Sequence, residues 1–195
     1  MSRLATLPRV MVTPNGARLG KADHPALPVM IPEIVATARA CHGAGAGAIH
    51  AHVRDADGAH ILDAGLYREL IAEMAQAVPA MPMQITTEAL GSYSPDQQRS
   101  LLHSLLRGIS PEGVSIALSE MLADGDRMAA RQSYHALAEA EVGVQHILYE
   151  PEHVAALAAE IAAGTIPGAG VQVLYVLGRY TPGQVSAPSM IKTSA

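Results

Sequence analysis

The apolar residues of this chain gather in short runs set between longer stretches in which apolar positions recur at helical spacing. "RVMVT" (9–13), "AIHAHV" (48–53), "MQITTEA" (83–89), "GVSIALS" (113–119), "GVQHILY" (143–149) and "GVQVLYVLG" (170–178) read as strands. Residues 31–45, 63–78, 94–106, 126–141 and 151–164 carry the 3.6-residue pattern of amphipathic helices. Pro32 suits a first helical turn, Asp63 is a cap candidate, and Ser94 with Pro95 opens the third helix. "PNGA" (14–17) turns the chain after the first strand, and "KADHPALPVM" (21–30) is a proline-bearing loop.

Strands that are short and apolar on both faces, alternating with helices, predict a parallel sheet covered by helices. The expected fold is α/β: a TIM (β/α)8-type barrel, a single domain over residues 1–195, incomplete with about six strand–helix units. Complete barrels of this type run to about 250 residues, so this series stops some two units short. A doubly wound open sheet is the alternative, but it calls for a glycine-rich phosphate turn after the first strand, and "TPNGARLG" has the wrong glycine spacing.

Composition narrows the function classes. Nearly half of the 195 residues are apolar, with no Trp and no Phe, so Ala, Leu, Val, Ile and Met must fill the interior. The net charge is -5, and Lys and Arg are scattered, which argues against nucleic acid. No run approaches the ~18 apolar residues of a membrane span. The N-terminus lacks the apolar core of a secretion signal. The single cysteine, Cys41, excludes an internal disulfide and fits a cytoplasmic location.

The chemistry concentrates in "GAIHAHVRDADG" (47–58). In a strand, positions i and i+2 share a face, so His50 and His52 point the same way and Ile49, Ala51 and Val53 point the other. They stand at the C-terminal end of their strand, the rim where α/β barrels build active sites. Two neutral imidazoles side by side suit zinc or a similar divalent ion, which needs at least one further ligand. The other reading is a pair of core histidines satisfied by hydrogen bonds. His24 and His60 lie near turns, His103, His135 and His153 in helices, and His146 on the fifth strand, where it either faces the mouth or is structural.

"TPNGARLGKADHPALP", "GAIHAHVRDADGAHILD", "MQITTEA" and "LYVLG" together resemble the β-keto acid cleavage enzymes, in chain order from about Val10 to Pro188. The resemblance implies a zinc-dependent barrel that converts a β-keto acid and acetyl-CoA to acetoacetate and a new acyl-CoA. It implies His50 and His52 as paired zinc ligands, Thr86 as the hydroxyl ending the third strand with Thr87 beside it, and Glu120 as the polar contact after the fourth strand with Ser119 adjacent. It also implies a homo-oligomer, a tetramer in the family.

Two departures follow. Where family members acting on an amino-bearing substrate carry an acidic residue after the first turn, Arg18 stands here, which points to a neutral or anionic substrate. The family's third zinc ligand, a glutamate in a later "GFED"-like segment, has no counterpart in these 195 residues. The expectation is therefore a truncated or frame-shifted member, or a fragment, that holds zinc weakly and turns over little unless Glu88, Glu120 or His146 supplies the ligand. An amidohydrolase-like hydrolase also uses an HxH strand, but on its first strand and with a lysine ending the fourth; neither holds here. An inactive remnant that acts only in assembly is the remaining alternative.

Overall fold

A computed structural model describes residues 8–178 together with Gly183 and Ala187. Six strands form one parallel sheet in the order β1-β2-β3-β4-β5-β6, in which each strand pairs with its sequence neighbours. They are β1 (Met11–Val12), β2 (Ala48–His50), β3 (Met83–Thr86), β4 (Gly113–Ala117), β5 (Gly143–Leu148) and β6 (Gln172–Tyr175). Helices α1 (Ile31–Gly43), α2 (Ala64–Ala77), α3 (Pro95–Leu106), α5 (Arg127–Glu139) and α6 (Glu152–Ala162) make the crossovers, and a four-residue helix, α4 (Leu118–Met121), follows β4 directly. The result is an incomplete (β/α)8-type barrel with β1 and β6 at its edges, as the alternation predicts. Among the described residues no helix is long and apolar enough to cross a membrane.

Local chemistry explains the helix starts. Asp63 accepts from Leu66 N at 2.7 Å, and Ser94 and Gln97 form a reciprocal capping box ahead of α3, with Pro95 in its first turn. Lys21 donates to Glu33, and this bond, with those from the backbone N–H groups of Met30 and Val29, brings the Glu33 carboxyl down to about 2.

The alternation of side chains divides the sheet into two faces. Ile49, Ala51, Met83, Ile85, Val114, Ile116 and Leu148 face the helices and are buried with Ile34, Leu70, Met74, Leu102, Leu105 and Leu137. With no Phe or Trp available, Tyr67 and Tyr134 are the largest fully buried side chains. Tyr67 donates from its hydroxyl to the Thr86 carbonyl at 3.4 Å.

Four boundaries differ from the expectation. β1 covers two residues rather than five, and at its C-terminal end Pro14 has no N–H to offer the ladder. β2 ends at His50 rather than Val53, so His52 lies just beyond the strand. The fourth strand stops at Ala117, and the chain turns at once into α4, which takes Ser119 and Glu120 off the sheet. The last part of the expected 170–178 strand is a turn, with β6 ending at Tyr175.

Candidate functional site

The inward face of the sheet encloses a cavity of about 680 Å3 at the C-terminal ends of the strands. Its lining follows the two-residue period. His50 comes from β2 and His52 from just after it, Gln84 and Thr86 from β3 with Glu88 just after it, Ser115 and Ala117 from β4, Gln145 and Ile147 from β5 with Tyr149 just after it, and Leu174 from β6 with Val176 just after it. Arg18 reaches in from the loop after β1. Polar groups predominate on the β2–β4 side, and the β5–β6 side presents Ile147, Leu174 and Val176 alongside Gln145 and Tyr149.

The two imidazoles converge. His50 Nε2 and His52 Nε2 are 3.0 Å apart, with the rings nearly perpendicular at 74°. Gln84 Oε1 lies 2.8 Å from His50 Nδ1, and the Gln84 amide nitrogen donates to Gln145 Oε1 at 3.4 Å. That orientation of the amide leaves the Gln84 oxygen as acceptor, so His50 carries its proton on Nδ1 and presents a lone pair at Nε2. Burial drives the His50 pKa below the ordinary histidine value, against the opposing pull of the Gln84 hydrogen bond and the Glu88 charge. Burial, and then the proximity of His50, His60 and Arg54, lowers His52 to about 2. Both rings are therefore neutral nitrogen donors at neutral pH. His52 Nδ1 is buried with no hydrogen-bond partner.

Around them, Thr86 Oγ1 accepts from Glu88 N at 2.9 Å and stands 3.5 Å from the Ser115 hydroxyl. Arg18 and Glu88 face each other at the mouth, 3.6 Å apart, with Arg18 half-exposed. Among the described residues no group of three or more His, Cys, Asp or Glu side chains is arranged to hold a metal ion.

Not every expected residue lines this cavity. Thr87 is fully buried on the outward face, where the alternation puts it, and donates to the Ser115 carbonyl at 3.2 Å. Ser119 and Glu120, on α4 rather than at a strand end, also lie outside the lining. Glu120 Oε2 accepts from Ala89 N at 3.0 Å, which holds the turn after β3, and Ser119 Oγ is buried without a partner. His146 faces α5 rather than the mouth, its ring 5.5 Å from that of Tyr134, and burial lowers its pKa to about 4.

The comparisons with known proteins bear on this site. The family model of the beta-keto acid cleavage enzymes matches residues 9–194. The chain belongs to that family. The 3-keto-5-aminohexanoate cleavage enzyme of Fusobacterium nucleatum subsp. nucleatum is 35% identical over 72 residues, which is 37% of this chain and 26% of that enzyme. The match thus spans about a quarter of that relative's length. Among solved structures, 3-dehydroquinate dehydratase from Enterococcus faecalis superposes with a TM-score of 0.60 at 13% identity, over 87% of this chain and 67% of that one. The type I 3-dehydroquinate dehydratase of Clostridium difficile gives 0.59 at 12% identity, over 86% and 63%. ObcA, solved as a binary complex with oxaloacetate, gives 0.53 at 14% identity, over 72% and 35%. At such identities the likeness speaks for the fold alone.

For this beta-keto acid cleavage family member, sequence reasoning missed Gln84, Ser115 and Gln145 at the site and gave Glu88 only a ligand's role. The signal was present. Counting alternate residues back from Thr86, or inward along "GVSIA" and "GVQHI", reaches all three. Placing the fourth strand's end at Ser119 displaced the count.

Proposed function

We propose that the chain is a zinc-dependent β-keto acid cleavage enzyme that converts a β-keto acid and acetyl-CoA to acetoacetate and an acyl-CoA. One observation carries this reading: two neutral imidazoles converge on one point of a cavity at the C-terminal rim of the sheet, with hydroxyls on one side and a cation at the mouth.

The donors suit zinc. Two imidazoles bound tetrahedrally at about 2.0 Å would separate their nitrogens by about 3.3 Å, close to the 3.0 Å found. Without a cation, His52 either carries its proton on Nε2, donates from there to His50 Nε2 and leaves Nδ1 a bare buried acceptor, or carries it on Nδ1 and sets two Nε2 lone pairs against each other. In the second arrangement His50 and His52 would hold a divalent ion through their Nε2 lone pairs. Gln84 is the outer partner that fixes the tautomer of His50, as carbonyl groups do behind metal-bound histidines. Zinc, when bound, supplies Lewis acidity toward the keto and carboxylate oxygens of the substrate.

The chain's own groups do the rest. Thr86, with Ser115 beside it, places a hydroxyl against the reacting end of the substrate. The apolar wall of Ile147, Leu174 and Val176 accommodates its carbon chain. Arg18, paired with Glu88, meets its far end and selects neutral or anionic groups over ammonium. Thr87 and Glu120 act from outside the cavity, by holding the end of β3 and the turn after it.

Two imidazoles with no third protein ligand among the described residues hold the ion weakly, so the test supplies zinc in excess. Acetoacetate and acyl-CoA formation from acetyl-CoA and a β-keto acid is followed in the full chain and in His50→Ala and His52→Ala. Slow turnover that needs zinc and both histidines is expected. Turnover indifferent to the histidines, or none with zinc bound, would contradict the proposal.

A further inference from the structure

Two buried polar side chains beside the histidines line neither end of the substrate's path as drawn above. Asn15 is 6% exposed and pairs in both directions with the main chain of His52: its amide nitrogen donates to the His52 carbonyl at 2.8 Å, and its Oδ1 accepts from His52 N at 3.1 Å. The register explains why. Met11 pairs with Ala48 and Val12 with Ile49, so continuing the ladder would set Asn15 opposite His52. Pro14 interrupts that ladder, and the side-chain amide of Asn15 then does for His52 what a neighbouring strand's peptide would have done.

Arg54 is also 6% exposed. Its guanidinium donates to the carbonyls of Gly16 at 2.6 Å, Leu19 at 3.0 Å, Asn15 at 3.3 Å and Gly58 at 2.8 Å. Three of these four belong to the loop that presents Arg18. A planar fork with several donors gathers carbonyls from different directions, which the single nitrogen of lysine cannot do.

We propose that Asn15 and Arg54 are positioning residues that tie the histidine pair to the loop carrying Arg18, with Asn15 setting His52 and Arg54 setting Arg18 opposite Glu88. The inference rests on the function proposed above, in that the histidines hold a divalent ion and Arg18 meets the far end of the substrate. Because the two clamps act on different ends of the site, each leaves its own signature. General loss of stability would not divide the effects this way.

The test uses the full chain and two probes. Co2+ binding is followed by visible absorption. Discrimination is the ratio of dissociation constants for 3-oxoadipate and 3-oxohexanoate, two β-keto acids of equal length ending in a carboxylate and a methyl group. Asn15→Ala is expected to weaken Co2+ by about tenfold and alter its spectrum, as loss of an outer partner does. Arg54→Lys is expected to leave Co2+ affinity in place and change the ratio by up to about fivefold, the scale of a half-exposed charge contact. In an Arg18→Gln background Arg54→Lys should leave the ratio where it is. Unchanged Co2+ affinity in Asn15→Ala, full rescue by Arg54→Lys relative to Arg54→Ala, or an equal shift of the ratio without Arg18 would each overturn the inference. No Co2+ binding by the unaltered chain would instead overturn the metal reading and the Asn15 clamp with it. A ratio unmoved by Arg18→Gln would overturn the reading of Arg18.

Discussion

His50 and His52 converge, and each is held by a different neighbour, His50 by Gln84 and His52 by Asn15. Gln84 Oε1, 2.8 Å from His50 Nδ1, fixes which nitrogen faces the cavity. Gln84→Leu is expected to free that choice and weaken zinc binding by about 10- to 100-fold, measured by competition with a chromogenic chelator. His146 is a histidine of the opposite kind, buried against Tyr134 with Nδ1 unpartnered. Its pKa falls from 6.5 unfolded to about 4 folded, so between these values the unfolded chain binds a proton that the folded chain refuses. Stability is therefore full above pH 6.5 and lost as pH falls toward 4, by about 2 kcal/mol at pH 5 relative to pH 7. Denaturant unfolding of His146→Gln at the two pH values should show a smaller difference than the unaltered chain; an equal difference would remove His146 from the explanation. That His50 and His52 share a face was legible from their spacing. That His146 faces away was legible too, since Gln145 and Ile147 take the inward positions, but only once the strand's orientation was fixed by its neighbours.

At the scale of elements, the sequence marked helix starts well because caps are local. Asp63, Ser94 and Pro95 act within a turn of themselves. Ser94→Ala should cost about 1 kcal/mol in denaturant unfolding, since α3 loses its hydroxyl cap. Strand ends were less legible because they depend on partners far along the chain. β2 stops where Pro14 breaks the neighbouring ladder, and Asn15 substitutes across 37 residues of sequence. β4 gives way to α4 at Leu118, although "GVSIALS" is apolar throughout and its pattern gives no sign of the change. The consequence for the site is specific: Ser115 lines the cavity, whereas Ser119 and Glu120 lie on α4 outside the lining.

At the scale of the molecule, the same alternation that predicted a barrel leaves an open curve of six strands among the described residues. β6 is an edge, and Val173 and Leu174 on it are 49% and 42% exposed. An edge with unpaired backbone groups and exposed apolar side chains invites pairing with another chain. The 195-residue protein is expected to self-associate in a concentration-dependent way in sedimentation velocity, and Val173→Lys should reduce the effect. A monodisperse monomer across the concentration range would contradict this. The cavity lies on the concave side of the same sheet, with Leu174 and Val176 in its wall, so what covers the β6 edge also bears on how closed the site is.

Titration of the metal-free chain with zinc, by calorimetry at neutral pH, asks whether the converging imidazoles are a metal site. One weakly held ion per chain is expected, with binding lost in His50→Ala and in His52→Ala while both variants keep the far-ultraviolet spectrum of the parent. Binding that survives both substitutions, or no binding in the unaltered chain, would contradict the assignment of this histidine pair as a metal site.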